Sequence, residues 1–325
     1  MAYNRKIFLK EALESVVNQT LDRKFYEIIL VANFNPNIDS TGEKNIVVIY
    51  SNDPPGSALS MAMEKAKGEI IALLDDDDTW EPKKLETVFS LFSKDEKLIY
   101  YHNNISFMDQ SGANIESSAH LISINKSAKR GLVFIRADEL NFRQIRQMLG
   151  WAMDFNNSSI CFRKSALENK REYIRNVKAS LDTSLFYVSL TCGTKLCCDG
   201  RKYTKYRVHS QNVSFGANRD LASVIYYKQK FNERRLAQFK EIIKDPDIVA
   251  SPEIRRSLEY VMSSLQIDLC WLGSSKSRLV LFKETLNHLK YISLSQITYD
   301  VGIIILSFLF MCFPNVIRNK YLRRQ

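Results

Sequence analysis

No two of the six cysteines are spaced as CxxC, which argues against a zinc ribbon or knuckle. Their scatter over Cys161, Cys192, Cys197, Cys198, Cys270 and Cys312 in a chain of 325 residues excludes a small disulfide scaffold. They read as reduced core side chains of a cytoplasmic protein. No apolar h-region follows Met1, because Tyr3-Asn4-Arg5-Lys6 is polar, so no signal peptide is expected. Internal repeats, low-complexity blocks and an opening glycine-rich loop are all missing. The aromatic and basic residues do not interleave as in a nucleic-acid module, so nucleic acid is not expected as a partner. No apolar run is long enough to cross a bilayer. Val301 to Phe313, thirteen residues, spans about 20 Å as a helix against a hydrocarbon core of roughly 30 Å.

What is present suits a globular α/β protein. Hydrophobic residues make up 45% of the chain, enough for one large core or two moderate ones. The formal charge of +10 favours an anionic partner such as nucleotide phosphates, a lipid phosphate or a membrane face. Ile7, Phe8, Ala12, Leu13, Val16 and Val17 recur at helical spacing and predict a first helix over 7–17. The runs 27–31 and 46–50 predict buried parallel strands, a helix follows over 57–67, and Glu69 to Leu74 predicts a third strand that runs into Asp75. This alternation implies a mostly parallel sheet with helices on both faces. Further on, 83–92 predicts a helix and 98–107 a strand, whereas 110–150 is polar and poorly periodic. Short apolar runs return at 158–162 and 184–190, and 221–243 and 253–292 read as amphipathic helices.

Asp75, Asp76, Asp77 and Asp78 fall at the C-terminal end of the third predicted strand, where open α/β sheets place their ligands. Crowded carboxylates repel one another unless a cation neutralises them, so a hard divalent ion is the natural inference. With its neighbours, this cluster resembles family 2 of the glycosyltransferases with the GT-A fold, over Tyr3 to about Ser214. The resemblance rests on Tyr3-Asn4-Arg5 opening helix 1, Ser15 to Thr20 closing it, the strand Tyr26 to Val31, Ala66-Lys67-Gly68-Glu69-Ile70-Ile71, and Asp-x-Asp at Asp75 and Asp77.

The resemblance implies an inverting, nucleotide-sugar-dependent transferase that moves a sugar to a glycan or lipid-linked acceptor, with Mg2+ or Mn2+ as cofactor. It assigns the metal to Asp77, with His209 as a metal or phosphate contact. Donor binding falls to Tyr3, Asn4, Arg5, Asn33, Asp75, Asp76 and Arg207. Asp182, in Leu181-Asp182-Thr183, becomes the catalytic base, although an Asp there could equally cap the helix that follows. The stretch Asn157 to Arg163 would edge the acceptor pocket, with Trp151, Asp154 and Ser158 as acceptor contacts.

Departures from the pattern are specific. Asn33 stands near the position where relatives carry a base-contacting aspartate, leaving the nucleotide open, and Ser60 replaces a helix asparagine. Relatives have a Val/Ile-rich strand ahead of Tyr-Asn-Arg where this chain has only Met1-Ala2. That strand is central, so its loss would strand backbone groups on both neighbours. The reading therefore expects a misassigned start or a shortened chain, with about ten further Val- and Ile-rich residues encoded upstream.

Three other functions share some of these features. Asp75-x-Asp77-x-Thr79 matches the aspartyl-phosphate motif of haloacid dehalogenase-like phosphatases, but no later Gly-Asp-x-x-x-Asp follows. A sugar nucleotidylyltransferase should open with a glycine-rich loop. An inactive membrane-associated scaffold or carbohydrate-binding protein on the same fold is the non-enzymatic alternative.

The expected organisation is a catalytic domain over 1–220, a helical extension over 221–296 and a hydrophobic, basic-tailed segment over 297–325. Arg318, Lys320, Arg323 and Arg324 would let that last segment lie on the cytoplasmic face of the cell membrane, as an interfacial or re-entrant helix, peripheral or C-terminally anchored. Burial against the catalytic domain or a homodimer contact are the other roles open to it.

Overall fold

A computed structural model of the chain describes residues 1–36, 46–115, 131–209, 212, 221–273, 278–291 and 297–312. The chain divides into two compact units: Met1–Ser117, Leu121–Leu140 and Met148–Val208 form the first, and Ser118–His120, Asn141–Gln147 and His209–Gln325 the second. The boundary thus falls before His209 rather than at 220. The described part of the segment from 297 belongs with the other C-terminal helices instead of standing apart.

The first unit opens with helix α1 (Lys6–Val17), whose buried stripe is Phe8, Leu9, Ala12, Leu13 and Val16. Strands β1 (Ile28–Ala32) and β2 (Ile46–Tyr50) pair in parallel, residue for residue. Only β1 is deeply buried; β2 leaves Val47 and Tyr50 exposed, so the reading of two buried strands holds for one. Helix α2 (Pro55–Lys65) begins with Pro55 in its first turn. It approaches the Ile174–Val177 turn so closely that a Cβ on Gly56 would lie 1.9 Å from the Ile174 carbonyl oxygen. Glu27 accepts the N–H groups of Lys67 and Gly68 where the chain turns into β3 (Ile70–Ala72).

The larger sheet also contains β4 (Thr79–Trp80), β5 (Leu98–Met108), β6 (Leu132–Arg136), β7 (Ile160–Arg163) and β8 (Lys195–Arg207), in the order β3-β7-β5-β8-β4 with β6 added on β8. Among the described strands, β1 pairs with β2 and β5 with β8 in parallel, and the other four strand pairings are antiparallel. The α/β class expected from the sequence is borne out, but the ladder is mixed rather than mostly parallel. An apolar run fixes that a strand exists, whereas its direction follows from where the preceding connection delivers it. Helix α3 (Lys84–Lys94) follows β4; the polar stretch 110–150 supplies β6 and helix α4 (Phe142–Gly150), and the 13-residue β8 likewise lacked a sequence signal strong enough to predict it.

β1 and β3 lie in separate sheets, and Met1-Ala2 spans the gap at one end. Ala2 forms a parallel bridge with Ala32, its N–H bonds the Val31 carbonyl at 2.8 Å, and the Met1 ammonium bonds the Leu74 carbonyl at 2.5 Å. Two residues thus occupy the position between strands that the sequence reading assigned to a whole strand.

In the first unit, helix α5 (Leu181–Cys192) is buried along most of its length. The longer helices of the second unit among the described residues are α6 (Leu221–Ile242), α7 (Pro252–Trp271), α8 (Arg278–His288) and α9 (Ile297–Cys312). Ile267, Cys270 and Trp271 of α7, Leu281 of α8 and Ile303 of α9 make a common core. Arg146 and Asp300 are both fully buried and form a bidentate pair at 2.9 Å in each arm. No helix among the described residues is long and apolar enough to cross a membrane. Arg318, Lys320, Arg323 and Arg324 lie outside the described residues.

Candidate active site

The four aspartates leave β3 as a turn whose side chains point inward: Asp76, Asp77 and Asp78 are buried and Asp75 is half-buried. The N-terminal segment supplies the counter-charge. Arg5 pairs with Asp76 at 2.6 Å and with Asp77, while the Tyr3 N–H donates to Asp76 at 2.8 Å. Asn4 sits at φ 62°; its backbone N–H donates to Asn33 Oδ1 at 3.0 Å, and its side-chain Oδ1 accepts from Asn33 Nδ2 at 2.8 Å. The residues assigned to donor binding from the resemblance therefore converge, but Tyr3 reaches the cluster through its backbone, and Asn33 already spends part of its hydrogen-bonding capacity on Asn4.

One guanidinium does not neutralise four carboxylates. Burial first, then repulsion from Asp77 and Asp75, pushes Asp78 well above the usual carboxylate range. Burial raises Asp75 as well, and lifts Asp76 to about 6 despite the Arg5 charge. Arg5 is itself held above its ordinary value; burial opposes its charge, but Asp77, Asp76 and Asp75 outweigh that. Among the described residues, no three His, Cys, Asp or Glu side chains gather into a ready metal cage.

Arg207 closes the turn from behind. Fully buried, it donates Nε–H to the Asp77 carbonyl at 2.8 Å, reaches the Gln110 carbonyl at 3.2 Å and pairs with Glu11 at 2.5 Å, while its backbone N–H bonds Asp78 at 3.0 Å. These bonds turn the guanidinium inward, an arrangement that suits the second of the two roles open to Arg207, neutralising donor phosphate or holding the loop. Ser158 also faces inward. It is fully buried, and its hydroxyl accepts the Asp75 N–H at 3.0 Å.

Asp182 lies in the first turn of α5, with Ser180 as the N-cap residue, so it is not the cap that its residue type allowed. Its carboxylate is half-buried and accepts N–H bonds from Thr183 at 2.8 Å and Asn156 at 3.0 Å. Asn156 in turn accepts the Ser158 N–H at 2.7 Å, and Asn157 donates to Asp75 at 3.2 Å. The segment 156–158 thus ties the acid turn to Asp182 through consecutive hydrogen bonds. Asp154 is half-buried and its carbonyl accepts from Thr183, while Trp151 is buried, with little surface to offer a sugar.

Among the described residues, those other than glycine with positive φ are Asn4, Ala152, Asn156 and Ser180, and each lies within two positions of another candidate residue. Such conformations cost on the order of 1–3 kcal/mol each and persist where the surroundings enforce them.

Lys84 had no distinguishing mark in the sequence beside its exposed neighbour Lys83. Its buried ammonium donates to the Ser158 carbonyl and to Thr204 at 3.1 Å, and stacks 4.5 Å from the Trp80 ring. Burial pulls it down to about 8, against the pull of Cys161 and Asp78. Trp80 Nε1–H at 2.8 Å and the Thr204 hydroxyl at 3.0 Å complete the donors on that carbonyl, which fixes the Ser158 hydroxyl under Asp75.

His209 belongs to the second unit, where its backbone N–H bonds the Asn212 side chain at 2.5 Å and its imidazole lies 3.3 Å from the same amide.

The family model described as "Glycosyl transferase family 2" matches residues 1–170. An uncharacterized glycosyltransferase of Rickettsia bellii is 26% identical over 220 residues, 66% of this chain and 29% of that protein. The putative teichuronic acid biosynthesis glycosyltransferase TuaG of Bacillus subtilis is 26% identical over 130 residues, 37% of this chain and 50% of that one. The chain therefore spans half or less of the length of these relatives. Among solved structures, S. aureus TarS 1-349 aligns over 99% of this chain and 90% of its own with a TM-score of 0.56 and 12% identity, a likeness of fold.

Proposed function

The chain belongs to glycosyl transferase family 2, and from that premise we propose that it transfers a sugar from a nucleotide-diphosphate sugar to a hydroxyl of a glycan or lipid-linked acceptor, with inversion. The observation that carries this reading is the hydrogen-bonded run Asp75–Asn157, Ser158–Asn156–Asp182, which holds a carboxylate turn and a separate half-exposed carboxylate in fixed relation.

In this reading the acid turn receives the donor. Asp77 would hold Mg2+ or Mn2+, and Asp75 would reach the ribose or the metal shell. The donor set suits a hard cation: its ligands are carboxylate oxygens, and Asp75, Asp76 and Asp78 stand above their usual range, as in a cluster short of positive charge. Mg2+ is commonly held by one or two carboxylates with phosphate oxygens and waters, which asks for no three-residue cage. When bound, such an ion offsets the charge that develops on the diphosphate as the glycosidic bond breaks. Asp182 then takes the proton of the attacking acceptor hydroxyl. The two N–H groups on its carboxylate orient it, and its place in the first helical turn favours negative charge.

Arg5 favours a second version of the same function, in which the guanidinium already paired with Asp76 and Asp77 supplies the charge on the diphosphate side and no metal is needed. Incubating the protein with a panel of nucleotide sugars and following nucleotide release, with Mn2+ and with a chelator, separates the two. Release that requires Mn2+ supports the metal-dependent version, and release that survives chelation supports the Arg5 version. No release from any donor, with acceptor glycans present, would refute transferase activity.

A further inference from the structure

The second unit carries an apolar surface that the proposed transferase chemistry does not use. Helix α9 turns Asp300, Ile303 and Ser307 inward and leaves Val301, Ile305, Phe308 and Leu309 between 38% and 52% exposed. Their spacing of four, three and one residues makes a stripe along one side of the helix. Helix α8 leaves Phe282 and Leu286 exposed, and Leu289 continues that line. The Phe282 and Phe308 rings meet edge to face, 6.3 Å between centroids, so the two stripes are one surface. An isolated exposed leucine needs no explanation; a continuous face on two adjoining helices does.

Its charges have one sign. Lys283 and Lys290 are exposed beside the α8 stripe, whereas Glu284 is half-buried and receives a hydrogen bond from Gln266. On α9 the residues described as exposed are all uncharged, and its acidic residue, Asp300, is held inside by Arg146. That anchor fixes the start of the helix within the unit, and the helix is too short to span a bilayer. By sequence, the chain that follows α9 is basic.

We propose that the α8–α9 face docks on an anionic lipid surface, with Val301, Ile305, Phe308, Leu309 and Phe282 entering the boundary between headgroups and acyl chains and Lys283 and Lys290 meeting lipid phosphates. The inference goes beyond the transferase reading and does not depend on it. An anionic bilayer is favoured over a second copy because apposing two such faces brings lysines of a chain with net charge +10 together, whereas lipid phosphates neutralise them.

Cosedimentation of the full chain with phosphatidylcholine vesicles, with and without phosphatidylglycerol, tests this. Binding should require the anionic lipid and weaken with added salt. Ile305→Ser with Phe308→Ser, and separately Lys283→Glu with Lys290→Glu, should each lower the partition coefficient about tenfold or more while circular dichroism is unchanged. The lysine pair, being exposed, keeps the test valid if the apolar pair unfolds. Failure to bind phosphatidylglycerol vesicles overturns the proposal, as does unchanged binding of the lysine variant. Self-association in ultracentrifugation that the apolar variant abolishes, without vesicle binding, would assign the face to a second copy and also overturn it.

Discussion

The buried pair of Arg146 and Asp300 decides whether α9 is a docked helix, and its rupture has a calculable cost. Asp300→Asn keeps the shape of the side chain but removes the charge facing a guanidinium that is 1% exposed. Arg146 keeps its bonds to the Tyr260 hydroxyl at 2.9 Å and the Tyr291 carbonyl at 3.0 Å, and its place 4.0 Å over the Tyr260 ring, yet loses the carboxylate charge of Asp300. Breaking one side of such a pair costs about 3–5 kcal/mol. Replacing both, as Arg146→Met with Asp300→Leu, removes the desolvated charges together and should fall within about 2 kcal/mol of the unsubstituted protein. Hydrogen exchange followed by mass spectrometry, read on peptides from 252–271 and 297–312 across a urea series, reports this unit separately. A loss below about 1 kcal/mol in Asp300→Asn, or a double variant as unstable as the single, would mean that the carboxylate is solvated and that α9 does not rest on Arg146.

Three further outcomes follow from the geometry. Asp182→Asn should bind donor normally and lose turnover by on the order of 10²–10⁴, with about 1–2 kcal/mol of stability lost because the amide cannot accept both the Thr183 and Asn156 N–H groups; unchanged kcat removes Asp182 as base. Asp77→Ala should abolish Mn2+-dependent binding of a nucleoside diphosphate in calorimetry without loss of stability, since Asp77 is a source of the repulsion on Asp75, Asp76 and Asp78; equal affinity in both proteins ends the metal role. His288 is fully buried, and burial, reinforced by Arg146 and opposed by Asp300, lowers it to about 4. The unfolded chain therefore binds the proton more readily: stability is complete above pH 6.5 and falls by up to about 3 kcal/mol as pH drops toward 4, a slope in urea midpoints that His288→Gln should flatten.

What the sequence alone determined is what short spacings encode. The 3.6-residue repeat of Phe8, Ala12, Leu13 and Val16 made α1, the β-branched run before Asn33 made β1, and the acid turn after β3 was legible because an apolar strand leads into it. Asp182 was legible as a residue at the start of a helix. Partnerships between distant residues were decided only when the chain packed. Arg5 meets Asp77 across 72 positions and Arg207 meets Glu11 across 196, and nothing local to either arginine distinguishes one turned to the solvent from one sealed inside. Nothing in the sequence marked Ser158 and Lys84 as supports of the Asp75 turn; their burial beneath it did. Strand direction escaped the sequence for the same reason, because an apolar run has the same pattern read either way. In α9 the sequence supplied the hydrophobicity, and the tertiary structure split it: Asp300 could be buried only where Arg146 offset its charge, so one face of the helix turned inward and the other stayed exposed.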